Sequence, residues 1–168
     1  MKKLLQLLKL IFEFLQKKMG KQQKPPPEIP IMEEGIQTNF PHEVLRRFGC
    51  HFFLLMKWLE VKHGLRFSNG DLLRIFQEVA AVNLVSSNNA FVKNAVGLLN
   101  HVLGENVYKC IHRDLEHAPA DGTAIRFLVR GNGETHFTLQ INGVEWDTLD
   151  PQRLAAKTWS FDSFRVPG

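Results

Sequence analysis

The feature that most constrains the fold is a change in the spacing of apolar residues near position 106. Before it, within residues 43–104, three stretches place apolar residues three and four positions apart, which predicts helices. After it, short segments alternate apolar and polar residues, which predicts strands. Helices followed by strands joined through hairpin turns predict an α+β domain with an antiparallel sheet. The predicted strands are NVYKCIH (106–112), TAIRFLVR (123–130), THFTLQI (135–141), VEWDTL (144–149) and FDSFRV (161–166).

The first 35 residues differ from the rest of the chain. Residues 1–20 place leucine and phenylalanine on one side of a helix and lysine on much of the other, which predicts an amphipathic helix. Lys9 and Glu13 interrupt its apolar run, which argues against a signal peptide or a membrane span. Residues 21–35 contain three successive prolines and predict an extended linker. The remainder, residues 36–168, is long enough for one domain with a core.

The positive charge of the chain is concentrated at its beginning. Residues 1–24 hold seven lysines and one glutamate, a net +6, whereas the whole chain carries +4, so the rest carries −2. A body without excess positive charge is not expected to bind nucleic acid. The basic amphipathic helix is expected to dock on its own domain or another copy, on an anionic membrane surface, or on a partner protein. We expect a cytoplasmic protein, peripheral to the membrane if the helix binds one.

Cys50 lies at or near the start of a predicted helix, directly after Gly49, in RRFGCHFFLL. The free N–H groups and the dipole of a helix amino terminus favour a thiolate there, although a nucleophile also needs a nearby base. Without such a base, Cys50 is a core residue. Two cysteines make no disulfide framework, so we expect both thiols to be free, with Cys110 as a buried or half-buried structural thiol in the first strand.

His136 is the histidine best placed to act as a base. In THFTLQI the apolar set headed by Phe137 is expected to face the core, whereas His136, Thr138 and Gln140 share the other face. The other six histidines are most simply solvated side chains. No histidine or cysteine spacing is typical of a metal site, so no metal and no other cofactor is expected.

The turn at Asn142-Gly143 fixes which acid lies near His136. A two-residue loop places Leu139 opposite Trp146 and Thr138 opposite Asp147. Asp147 then shares the face of His136, one diagonal step of about 7–8 Å away. Asp150 falls on the opposite face and is the reserve acid.

These segments, GCHFFLL, THFTL and VEWDTLDP in that order, resemble the papain-like cysteine peptidase superfamily and its C39-like branch, including a group of phage and bacterial proteins. The resemblance covers about residues 36–168. It implies a papain-like fold that hydrolyses a peptide or amide bond of a peptide or protein substrate. Cys50 would be the nucleophile, His136 the base and Asp147 the acid that orients it.

The oxyanion donor is where this chain departs from the superfamily. The superfamily places a glutamine about six residues before the cysteine, where this chain has Val44. The nearby upstream glutamine is Gln37, which is therefore the candidate oxyanion donor. The competing interpretation is a non-catalytic interaction module on the same scaffold, anchored to a membrane surface or partner by its amino-terminal helix.

Overall fold

The computed structural model describes residues 31–150 and 159–168. The predicted amphipathic helix (1–20) and most of the predicted linker (21–35) lie outside the described residues. Within the described ranges, four helices precede a five-stranded antiparallel sheet, which confirms the α+β class, and none of these helices is long and apolar enough to cross a bilayer. The helices are α1 (Glu43–Phe48), α2 (Cys50–His63), α3 (Asn69–Ala81) and α4 (Ala95–Leu103). The strands are β1 (Ile111–Leu115), β2 (Ala124–Val129), β3 (Thr135–Ile141), β4 (Val144–Trp146) and β5 (Ser160–Pro167).

Helix α2 is the centre of the core. Every residue from Phe52 to Glu60 is buried, because the helix is apolar on nearly all sides and must be surrounded. It packs against β3 and α4 and ends at Gly64, whose φ of 68° is the left-handed conformation that glycine adopts without strain. The amino end of α2 is thereby held against the sheet.

The capping residues explain where the next two helices begin. Ser68 and Asp71 form the reciprocal hydrogen bonds of a capping box at the start of α3. Ser87 and Asn88 are also residue types that cap helices, but α4 begins after Asn94, whose Oδ1 accepts from the Gly97 N–H at 2.8 Å. The preceding residues instead form turns and a short antiparallel bridge between Val85 and Val92.

The sheet has the strand order β1-β5-β2-β3-β4, so the last strand lies between the first and the second. The predicted first strand is displaced: β1 begins at Ile111, because the backbone N–H and C=O of Tyr108 bond the Asn100 side chain on α4 instead of another strand. Cys110 therefore precedes β1. It is exposed, not the buried structural thiol expected, and its Sγ lies 3.5 Å from His112 Nε2.

A buried ion pair anchors the segment that leads into α1. Lys57 Nζ lies 2.5 Å from Glu60 Oε2 within α2. Lys57 Nζ also donates to the carbonyl of Met32 at 2.8 Å, and Glu60 Oε1 accepts from the Met32 N–H at 2.9 Å. Met32 is itself buried. The folded domain therefore includes Met32, which the sequence assigned to the linker.

Candidate active site

A break in the helical backbone places Cys50 at a helix amino terminus. Gly49 separates α1 from α2, which decides the starting point that periodicity left open. A Cβ on Gly49 would lie 2.4 Å from the Leu45 carbonyl oxygen and 2.8 Å from the Phe53 ring, so a side chain does not fit there. Cys50 is the first residue of α2, and its N–H has no carbonyl partner within the helix. Its half-buried thiol lies at the positive end of the helix dipole.

The hairpin of β3 and β4 brings His136 and Asp147 together. Its register is the predicted one, with Leu139 opposite Trp146. Strand β4 ends at Trp146, and Asp147 follows directly. His136 Nε2 lies 2.9 Å from both Oδ1 and Oδ2 of Asp147, and both side chains are buried. Oδ1 of Asp147 also accepts from the Leu149 N–H at 2.7 Å, which fixes the carboxylate in this orientation.

The other ring nitrogen of His136 is left for Cys50. Burial lowers the pKa of the His136 imidazole, but the hydrogen bonds to Asp147 and the electrostatic influence of Asp147 and Cys50 outweigh burial and raise the pKa to about 9. Because Asp147 occupies Nε2, the nitrogen that remains is Nδ1. At neutral pH the ring is therefore protonated on both nitrogens, with Asp147 at Nε2 and Cys50 on the Nδ1 side. The structure therefore brings Cys50, His136 and Asp147 into one site.

Gln37 lies beside this site. It is buried, its Nε2 donates to the carbonyl of Arg46 in the last turn of α1 at 3.3 Å, and its Oε1 accepts from the Thr148 hydroxyl at 2.8 Å. Its backbone N–H donates to the Thr148 carbonyl, one residue after Asp147. The Gln37 amide is thus held between the end of α1 and the Asp147 segment, and it carries a second N–H besides the one used.

The reserve acid is placed differently from Asp147. The backbone N–H of Asp150 donates to the Thr38 hydroxyl at 3.0 Å, so this residue helps to hold the segment that contains Gln37. The carboxylate that bonds the His136 ring is that of Asp147. This contact favours Asp147, the acid that the hairpin register indicated, over Asp150.

A stacked pair of rings joins the start of α2 to the start of β3. The His51 ring lies on the Phe137 ring with a centroid separation of 4.2 Å and an interplanar angle of 14°. Burial lowers the pKa of His51 to about 3, and the nearby charges of Arg165 and Arg113 lower it further in the same direction. His51 is therefore a neutral, partly buried ring and not the solvated side chain expected. Because His51 follows the cysteine and Phe137 follows His136, this stack holds the two reactive groups together.

Trp159 covers the histidine from outside the hairpin. Its ring centroid is 5.4 Å from that of His136, and it immediately precedes β5. An aromatic ring there limits the access of water to the bond between His136 and Asp147. This contact helps to bury His136, although His136 lies on the face that was expected to be outside the core. No motif in the sequence indicated Trp159.

Across residues 31–150 and 159–168, no group of three or more histidine, cysteine, aspartate or glutamate side chains is arranged to hold a metal ion. Comparisons of the chain with protein-family models, curated proteins and solved structures found no match.

The raised pKa of His136 predicts a loss of stability at alkaline pH. The pKa is about 9 in the folded protein against an ordinary 6.5, so protonation of the ring stabilises the fold fully below about pH 6.5. This stabilisation, at most about 3 kcal/mol, is lost as the pH rises through about 9. Urea denaturation measures the free energy of unfolding of the wild type and of His136→Gln, and the difference between the two should shrink as the pH rises from 6 to 10. A difference that stays constant over this range would contradict the assignment.

Proposed function

We propose that this protein is a cysteine peptidase of papain-like architecture, which cleaves a peptide or amide bond. The observation that carries the proposal is the buried His136–Asp147 pair next to a thiol on the first residue of a buried helix. Strongly perturbed pKa values of this kind cluster at functional sites. The chain order of helix, strand and following strand agrees with the order of the superfamily that the sequence resembles.

The first half of the reaction uses the groups in the order of their contacts. At neutral pH the Cys50 proton already lies on His136 Nδ1, and the Sγ thiolate attacks the carbonyl carbon of the substrate to form a C–S bond and an oxyanion. The Cys50 N–H and the second N–H of the Gln37 amide are the proposed donors to that oxyanion. When the intermediate collapses, the C–N bond breaks and His136 gives its proton to the leaving amine.

The second half releases the acid. A water molecule gives a proton to His136 and attacks the thioester, and the C–S bond breaks. The carboxylic acid leaves, and Cys50 Sγ is again a thiolate that faces the protonated His136 ring. In both halves of the reaction, the Asp147 carboxylate accepts a hydrogen bond from His136 Nε2–H, which keeps Nδ1 towards the reacting atoms.

The competing interpretation, a non-catalytic interaction module, accounts less well for this arrangement. A buried ion pair gives little net stability relative to apolar residues of similar size, and a structural role gives no reason for a thiol at a helix amino terminus beside the same histidine. Contact of residues 1–20 with an anionic membrane surface or a partner protein is compatible with both a peptidase and a non-catalytic interaction module. Together with a cytoplasmic location, it is part of the proposal.

Alkylation of Cys50 tests the proposal without knowledge of the substrate. Because Cys110 is exposed and close to His112, it would react as well, so the test uses the Cys110→Ser background. Iodoacetamide should modify Cys50 at pH 7 at least about tenfold faster than it modifies the same thiol in a His136→Ala variant. Mass spectrometry of the intact protein measures both rates. Equal rates in the two variants, with native circular dichroism spectra, would sink the peptidase proposal.

A further inference from the structure

Next to the amino end of α2, the sheet presents aromatic and cationic side chains that are open to solvent. The Arg165 guanidinium on β5 lies 3.9 Å above the centroid of the Phe127 ring on β2 and 5.4 Å from that of Phe137 on β3. Phe137 in turn stacks on His51, the neighbour of Cys50. All four side chains are only partly buried, so this surface beside the core remains accessible to a ligand.

The guanidinium of Arg165 has no anionic partner. Among the described residues it makes no hydrogen bond and no ion pair within 4.0 Å, and its buried Nε is unsatisfied. Arg113 is exposed on the neighbouring β1 and likewise makes no hydrogen bond or ion pair among the described residues. Other sheet arginines differ: Arg126 lies 2.5 Å from a carboxylate oxygen of Glu145. A half-buried guanidinium with unused donors is costly unless something supplies acceptors.

The charges around Arg165 favour an incoming anion. Burial and the charge of Arg113 lower the pKa of Arg165, whereas Asp114 and Asp162 raise it. Both carboxylates are exposed, and neither comes within 4.0 Å of the guanidinium. His51 is neutral and neither competes for an anion nor attracts one. The two arginines repel each other, and a bound anion would relieve this repulsion.

We propose that Arg165, assisted by Arg113, binds a carboxylate of the peptide substrate next to Cys50. The proposal rests on the peptidase function and gives its substrate class: peptides with an acidic side chain or a free terminal carboxylate near the scissile bond. Arg165 is suited to the role because its planar guanidinium presents paired donors, and stacking on Phe127 holds it in place before binding. It is thus a specificity residue and takes no part in bond cleavage.

Binding to a protein that cannot turn over tests this proposal directly. The full chain with Cys50→Ala is titrated against three fluorescein-labelled pools of otherwise uncharged octapeptides, and anisotropy is measured. One pool carries a central glutamate and an amidated end, one a central glutamine and a free carboxylate, and one a central glutamine and an amidated end. We expect one of the acidic pools to bind about tenfold more tightly than the neutral pool. The pool that does so identifies the source of the carboxylate.

Matched arginine variants show whether the preference depends on the proposed residue. Arg165→Gln should abolish it, and Arg165→Lys, which keeps the charge but loses the paired donors, should retain part of it. Arg126→Gln is the control, because Arg126 also lies over an aromatic ring, Phe161, but is already paired with Glu145. It should leave the preference unchanged.

The outcomes separate this proposal from the peptidase proposal. Equal binding of all three pools, no measurable binding of any pool, or a preference that survives Arg165→Gln would each overturn the carboxylate site. If Arg165→Gln unfolds, as circular dichroism would show, an unreduced preference in Arg165→Lys overturns it instead. The binding assay with Cys50→Ala needs no turnover. If the preference for an acidic pool persists but the alkylation test fails, only the peptidase function is overturned.

Discussion

Replacing Asp147 by asparagine is expected to lower the rate of any peptide cleavage by a factor of about 10² to 10⁴, and the rate of Cys50 alkylation by about tenfold. Oδ1 of Asp147 accepts from the Leu149 N–H and must remain an oxygen, so the new amide nitrogen would take the position of Oδ2. That nitrogen donates, and it would favour the tautomer of His136 in which Nε2 accepts and Nδ1 carries the proton. A neutral ring with its proton on Nδ1 cannot take another from Cys50.

Asp150→Asn is the matched control for this variant. It makes the same chemical change three residues away and retains the backbone N–H that donates to Thr38. We expect it to leave the alkylation rate nearly unchanged. The two variants are compared in the Cys110→Ser background at pH 7, with thermal denaturation to confirm that both are folded. Equal rates for Asp147→Asn and the wild type would show that the acid does not set the tautomer.

The part of the site that could be predicted from sequence is the part fixed by local geometry. The Asn142-Gly143 turn allows one register for the strands on either side, and that register determines which acid follows β4 next to His136. The Ser68 cap was predictable for the same reason, since its partner Asp71 is three residues away. In both cases all the atoms that decide the structure lie within one turn or one hairpin.

Features that depend on distant partners could not be predicted. Tyr108 is held by Asn100, which removes the start of the predicted first strand from the sheet. Met32 is fixed by two charged side chains more than 20 positions along the chain, and a charged pair in a helix usually indicates a solvated face. His51 looked like a surface residue because its partner, Phe137, is on a strand that periodicity alone does not place above it. Each of these contacts arises only once the domain has folded.

The second large effect concerns the buried pair of Lys57 and Glu60. Lys57→Met keeps an unbranched side chain of similar length but leaves the Glu60 carboxylate buried, with the Met32 N–H as a hydrogen-bond donor and Arg66 at 3.8 Å. Removing one partner of a buried ion pair typically costs 3–5 kcal/mol, and we expect a loss of about that size in the free energy of unfolding. Urea denaturation at pH 7 measures it.

Lys62→Met is the control, because it removes a lysine from the same helix whose pair with Asp121 is far more exposed. The side chains of that pair are 26% and 55% exposed, so solvent screens the attraction, and the expected loss is below about 1 kcal/mol. The double variant Lys57→Met/Glu60→Met separates charge from packing. If the unpaired carboxylate causes the loss, removing it should restore much of the stability. If the double variant is no more stable than Lys57→Met, the pair acts chiefly by holding Met32. In that case Cys50 alkylation should also slow in both variants, because Gln37 lies five residues beyond that anchor.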